Sequence, residues 1–379
     1  VSLFTDTASE MLYPIMPIYL KSIGFSVALI GLLEGIAEAT AGLSKGYFGK
    51  LSDTMNRRVP FVRLGYSLSA LSKPMMALFI FPIWIFFSRT LDRVGKGVRT
   101  GARDAMLSEE ATPSTKGRVF GFHRAMDTLG AVLGPSLALL YLFFYKGDYK
   151  TLFYLAFIPG VLAIVATFFL KEKVPAKPPS IIKTTFFSFI RYWKDAPVKY
   201  RKVVIGLLLF ALFNSSDVFL LLKAKEAGLD DTLVIGIYIF YNLVYAVFAF
   251  PVGIVADKIG LRTMFLIGLC LFSIVYFGMA VSSNPYLIAG FFALYGMYAA
   301  ATEGISKAWI SNITHKKNLA TAIGTYTAFQ SICALLASSA AGLIWYGLGS
   351  SATFAITGIA TLFVIVYFTF AIKQTEGAS

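Results

Sequence analysis

Between Phe87 and Gly134 the chain runs through two apolar segments that nevertheless carry ionised side chains at helical spacing. In the first, FSRTLDRVGKGVRTGARDAML, residues Arg89, Asp92, Lys96, Arg99 and Arg103 recur at alternating intervals of three and four. That spacing puts all five on one stripe of a helix. A lone charge in mid-bilayer costs about 2.5–3.5 kcal/mol on insertion scales. A whole stripe is tolerated only where it faces protein or a water-filled cavity, which is the mark of a transport path.

The surrounding chain belongs in lipid. It is 57% hydrophobic and 14% charged, whereas soluble domains carry about 25% charged residues. No soluble core could hide that much apolar surface, so the class is all-α integral membrane protein. The 379 residues suit about twelve spans of 20–25 residues with short connections. The net charge of +14 is not arranged as a face for nucleic acid; the bases cluster in alternate loops, as cytoplasmic loops do. Cys270 and Cys333 both lie inside apolar spans, so no structural disulfide is expected. The chain opens at Val1 inside the first span, with no signal peptide or initiator Met, and a short native N-terminus is expected to precede it.

Hydropathy predicts spans at 1–20, 27–51, 61–80, 82–107, 116–144, 152–170, 203–222, 234–255, 263–281, 286–313, 319–346 and 352–372. Bases at Lys45, Lys50, Arg57, Arg58 and Arg63 surround the second connection, and Lys258 and Arg262 mark the eighth. The ninth and eleventh turns carry none. Both termini are therefore expected in the cytoplasm, in a multi-pass protein of the bacterial inner membrane. A basic connection at 172–202 separates two halves, 1–171 and 203–379. Its PAKPP opening reads as a stiff spacer, and 180–194 as an amphipathic helix on the anionic inner leaflet.

The halves repeat one another. GKLSD at Gly49–Asp53 returns as GIVAD at Gly253–Asp257; Gly101, Ala105, Ser108 and Gly121 return as Gly304, Ala308, Ser311 and Gly324; Lys21 and Gly24 return as Lys225 and Gly228. Six helices followed by six of the same design predict two pseudo-symmetric six-helix bundles with a substrate site at mid-membrane.

The string GKLSDTMNRR from Gly49 to Arg58 resembles the loop signature of the major facilitator superfamily, with a weaker copy from Gly253 to Arg262. The resemblance implies a cytoplasmic charge lock, to which Gly49, Asp53, Arg57, Arg58, Arg103, Asp104, Asp257 and Arg262 are assigned. Physically, Asp53 suits the positive N-terminal end of a helix near Asn318, and Arg57 or Arg58 suits Asp104. Arg93, Lys96 and Gly97 resemble the family's motif in span 4, with Lys in place of the usual Gln and additional bases. Gly130, Gly134 and Pro135 resemble its antiporter motif, although Ala138 and Leu139 replace the last glycines; this likeness implies drug:proton antiport and efflux. The glycines allow close helix packing, and Pro135 withholds a donor from the ladder.

Candidate proton carriers are Asp6, Glu10, Glu38, Asp127 and His123, with Glu34 nearer the outer end. Candidate substrate contacts are Arg89, Arg93, Lys96 and Arg99 in the first half. In the second they are Asn214, Asp217, Tyr238, Tyr241, Asn242, Tyr298 and Gln330, a more neutral, aromatic wall. Glu303 and Lys307, four apart, are expected to satisfy each other. The abundance of Lys and Arg argues against a metal site, and no cofactor is expected. An enzyme is disfavoured, since the sequence holds no Ser/His/Asp set, ligand spacing or phosphate loop. The favoured reading is a monomeric, proton-coupled exporter of amphipathic anionic or zwitterionic small molecules. Its alternatives are an importer of an organic anion or a siderophore-like chelate, and a receptor that moves nothing.

Overall fold

Apolar stretches of this length satisfy their backbone only as helices, and the computed structural model shows them so. It describes residues 1–13, 15–25, 27–172 and 185–372, without the side chains at 17, 18, 27, 28, 30–32, 34, 35, 231 and 232. The helices of the first half are α1 (Ser2–Glu10), α2 (Met16–Ser22), α3 (Val27–Met55), α4 (Val59–Leu78), α5 (Pro82–Glu110), α6 (Lys116–Phe144) and α7 (Tyr149–Thr167). A short α8 (Ser188–Asp195) precedes α9 (Val198–Ala211), α10 (Val218–Glu226), α11 (Asp231–Ile259), α12 (Leu261–Val281), α13 (Pro285–Asn312), α14 (Leu319–Leu348) and α15 (Ser350–Ala371).

Two predicted spans are broken, and in corresponding places. The first is not continuous over 1–20 but divides into α1 and α2, with Pro17 in the first turn of α2, where a missing N–H and a fixed φ cost least. The seventh, expected at 203–222, begins at Val198 and divides between Ala211 and Val218. Both second pieces end alike. Gly24 and Gly228 have φ of +93° and +92°, and the next residue's N–H reaches back to Leu20 and Ala224 respectively. Only glycine adopts that turn without strain, which is why the two glycines recur.

Seven helices among the described residues are long and apolar enough to cross a membrane by composition alone, namely α6, α7, α11, α12, α13, α14 and α15. The helix α5 falls short because of the charges that make it interesting.

Packing divides the chain into two compact units. The first comprises 1–109, 126–195 and 315–331; the second comprises 110–125, 196–314 and 332–379. Within the first, α7 packs on α1 and α4; within the second, α15 packs on α9 and α12. The same pairs meet one repeat later. Of the connection at 172–202, residues 173–184, with the PAKPP spacer and the start of the expected amphipathic helix, lie outside the described residues.

Candidate translocation site

In the first unit the charged stripe of α5 is divided between two tasks. Asp92 accepts from Lys73 Nζ at 2.7 Å and pairs with Arg89 at 3.4 Å, all three side chains being almost fully buried. Arg99 donates to Ser69 Oγ at 2.6 Å and lies 4.6 Å from the centre of the Tyr66 ring. These groups fasten α5 to α4. Glycines permit the approach, because a Cβ on Gly65 or Gly95 would enter the facing backbone. Arg89 and Arg99, read from the sequence as substrate contacts, are thus committed to this interface.

Arg93 and Lys96 are presented differently. Arg93 is paired with Glu38 of α3 at 3.0 Å, its own side chain 10% exposed and that of Glu38 51%. Lys96 is exposed outright. Asp6 on α1 lies in the field of Asp127, Arg99, Lys96 and Glu10, and makes no hydrogen bond or ion pair among the described residues. Asp127 is buried and Glu10 half-buried. The acids reach this face because α1 lies tight against α6: a Cβ on Gly130 would meet Leu3 O at 2.7 Å, and one on Gly134 would meet Met11 N and Thr7 O at 2.6 Å. Pro135 continues the same helix. Open charges at this level of a span are not tolerated by acyl chains and call for water.

In the second unit the break before α10 is held by polar groups. Asp217 accepts from Tyr241 at 2.7 Å and Tyr295 at 2.6 Å, and Asn214 Nδ2 donates to Tyr298 at 3.0 Å. The Tyr238 and Tyr241 rings meet edge to face. Asn242 turns inward, bonding the Tyr238 carbonyl of its own helix. His123 is buried in the second unit's part of α6, and Gln330, half-buried, belongs to the first unit. The side chain of Glu34 is outside those described.

In each unit the aspartate of the repeated loop motif also lies at a helix start. Asp53 accepts from the N–H of Ala320 at 3.4 Å and of Thr321 at 2.6 Å, and pairs with Arg58 at 2.6 Å. Asp257 accepts from the N–H of Gly117 at 2.7 Å and of Arg118 at 2.9 Å. Free N–H groups and the helix dipole favour an anion at both places. Small residues make both crossings possible: Gly49 lies against Ala320 and Gly324, and Gly253 against Gly117.

Three sequence expectations are corrected. Arg58 pairs with Asp53 and with Glu109 at 3.4 Å, not with Asp104, which takes the adjacent Arg103 at 2.9 Å, while Arg57 is exposed. Glu303 pairs with Arg124 at 3.0 Å rather than Lys307, because Gly304 lets α6 come close enough for Arg124 to lie alongside. Arg262 does not join Asp257; it donates to the Phe368 and Thr369 carbonyls and so closes the end of α15. Two contributors escaped the sequence reading. Lys73 was visible as a lone cation in SLSALSKPMMA. Glu172, whose carboxylate receives the first N–H groups of α4 from Arg58 and Val59, had no local signal.

This architecture of broken first and seventh spans, paired repeats and charged helix-end locks is that of a secondary transporter. The sequence profile of the Major Facilitator Superfamily matches residues 1–241 and 218–379, and the chain belongs to that family. It is 34% identical over 350 residues to an uncharacterized MFS-type transporter of Methanocaldococcus jannaschii, covering 91% of this chain and 86% of the relative. To the quinolone resistance protein NorA of Staphylococcus aureus it is 23% identical over 155 residues, 41% of this chain and 39% of that one. Among solved structures, the human organic anion transporter MFSD10 superposes with a TM-score of 0.83 at 16% identity, covering 97% and 96% of the two chains. The Escherichia coli fucose:proton symporter FucP superposes with a TM-score of 0.75 at 10% identity, covering 98% and 97%. The chain is therefore a multi-pass secondary transporter and not an enzyme.

Proposed function

We propose that this transporter is a proton-coupled exporter of amphipathic anionic or zwitterionic small molecules, working as a monomer in the cytoplasmic membrane with both termini inside. The observation that carries the reading is the Arg93–Glu38 pair, open on the Glu38 side and next to the exposed Lys96. An anionic group takes Arg93 only by displacing Glu38, and a proton on Glu38 removes the competitor. A purely anionic substrate on this pair alone would therefore travel with a proton, and its export requires that more protons return on Asp6 and Asp127 than leave with it. A zwitterion differs, because its cationic end can occupy Asp6 or Asp127 in place of a proton. Substrate and proton then exclude each other, which is the condition for exchange. Support for the outward direction comes from the resemblance of Gly130, Gly134 and Pro135 to the family's antiporter motif; the two glycines also seat α6 against the acid-bearing α1.

The test is flux in proteoliposomes under an imposed pH gradient, with amphipathic zwitterions and matched anions as probes. Expected is gradient-driven accumulation of the zwitterion against the proton gradient, reduced at least tenfold in Glu38→Gln and Asp127→Asn. Gradient-independent flux, or unchanged coupling in both variants, would refute the mechanism.

A further inference from the structure

The helix α8 is held in the first unit through Gly46, Lys50, Thr325 and Phe329, none of which is named above as a proton or substrate contact. The Phe189 ring fills the space over Gly46 of α3, where a Cβ would come within 2.6 Å of it. Lys50 Nζ donates to the Ser188 carbonyl at 2.8 Å, and Thr325 Oγ1 of α14 donates to the Phe189 carbonyl at 3.4 Å. The Trp193 ring stands edge-on to Phe329 of α14 at 6.2 Å. One face of α8 thus holds α3, from the first repeat, together with the opening turns of α14, from the second.

Among the described residues the opposite face has no partner on α3 or α14, and the Phe187 ring meets only that of its neighbour Phe186. Phe187, just before the helix, and Ile190 are 58% and 42% exposed. Arg191 and Lys194, on the same face by spacing, are exposed and make no ion pair among the described residues. Two bulky apolar groups beside two exposed bases are the composition of a helix lying in a membrane interface.

Depth agrees. The 29 residues of α3 give a rod about 44 Å long, about 14 Å longer than a hydrocarbon core. Gly46 lies nine residues before its end at Met55, about 14 Å along the axis. Where the excess projects on this side, α8 crosses α3 at the level at which acyl chains give way to headgroups.

We propose that α8 is a binding element for anionic phospholipid, and that lipid bound there clasps the start of α14 to α3. Arg191 and Lys194 take headgroup phosphate, Phe187 and Ile190 enter the acyl boundary, and Phe189 and Trp193 pass the constraint to Gly46 and Phe329. Acidic lipid then favours the arrangement in which Asp53 holds Ala320 and Thr321. This goes beyond the transport reading and does not depend on which substrate moves.

The experiment is hydrogen exchange on the full chain in nanodiscs of phosphatidylcholine, with and without about one third phosphatidylglycerol. At roughly fivefold per base near an acidic surface, phosphatidylglycerol is expected to slow exchange in 188–195 and in 319–325 by more than tenfold. The double variant Arg191→Gln, Lys194→Gln is expected to abolish that difference while leaving exchange in α11 unchanged, which shows an intact fold. Equal protection in both lipids, or lipid dependence that survives in the double variant, overturns the site. Slowing in 188–195 without slowing in 319–325 overturns the clasp. The same slowing by inorganic phosphate in phosphatidylcholine overturns the membrane as the source. Because no flux is read, none of these results bears on the transport mechanism.

Discussion

Asp53 and Thr321 meet twice: the carboxylate accepts from the threonine's main-chain N–H at 2.6 Å and from its hydroxyl at 2.5 Å. The residues are 268 positions apart, so one side chain of the first repeat caps a helix of the second. Asp257 does the same for α6, with a weaker cation beside it: Arg118 Nε stands at 3.7 Å and its side chain is 52% exposed.

The two caps should therefore differ in strength. Hydrogen bonds to a charged group contribute about 1.5–3 kcal/mol, and Asp53 has in addition the buried Arg58. Asp53→Asn is expected to speed exchange at the Thr321 amide ten- to a hundredfold, and Asp257→Asn to speed exchange at Gly117 less. Hydrogen exchange measured by mass spectrometry reads both, and equal effects would contradict the asymmetry.

Lys73 is 2% exposed and bonded to a buried carboxylate. Removing one member of such a pair strands the other in low dielectric, at a cost of about 3–5 kcal/mol. Lys73→Met should lower the thermal midpoint strongly in detergent, and Lys73→Met with Asp92→Asn should recover much of the loss. A double variant as unstable as the single one would show that the pair is not the reason Lys73 is there.

Gly134 has no room for a side chain, since α1 backbone occupies the place of its Cβ. Gly134→Ala forces α1 and α6 apart, and overpacking of this kind costs about 1–3 kcal/mol. Gly147, by contrast, faces open space. Thermal stability and flux should both fall in Gly134→Ala. Retention of both would mean that α1 yields freely.

Outside the spans, Asp148 caps α7, accepting from the Thr151 N–H at 3.2 Å and from the Tyr141 hydroxyl at 2.8 Å. The Thr151 side chain, then Tyr141, hold its carboxyl below the usual carboxylate range. A pKa lowered by folding adds stability above the unfolded value, about 3.9, and loses it as the pH falls through the folded one. Asp148→Ala should thus cost about 1 kcal/mol at pH 7, as lost caps do. The difference from the parent should shrink as the pH falls below the unfolded value and through the lowered folded one, which melting curves recorded at pH 7 and at successively lower pH will show.

Much of this was legible in the residues themselves. Length and hydropathy placed α6 at its ends, and Gly24 and Gly228 recurred as part of the repeat, although the left-handed turns they form were not legible from it. The polar run Asn214–Asp217 marked the break in the seventh span, because those side chains compete with the helix ladder for hydrogen bonds. The first-span break was less legible: Pro17 opens α2 rather than merely bending a continuous helix.

Partner choice was not legible. The spacing of the α5 stripe gave a face but not its division, since Lys73 draws Asp92 to α4 and Asp92 in turn holds Arg89, while Arg99 turns to Ser69. Arg262 and Arg58 sit in matching motifs, yet one closes α15 and the other holds Asp53.

The sequence alone determined the class and the repeat, because bilayer thickness and backbone satisfaction leave a chain of this composition few alternatives. The tertiary structure decided which charge meets which. A long side chain reaches several neighbours of opposite sign, and only the packing distance between helices, set by distant glycines, selects among them.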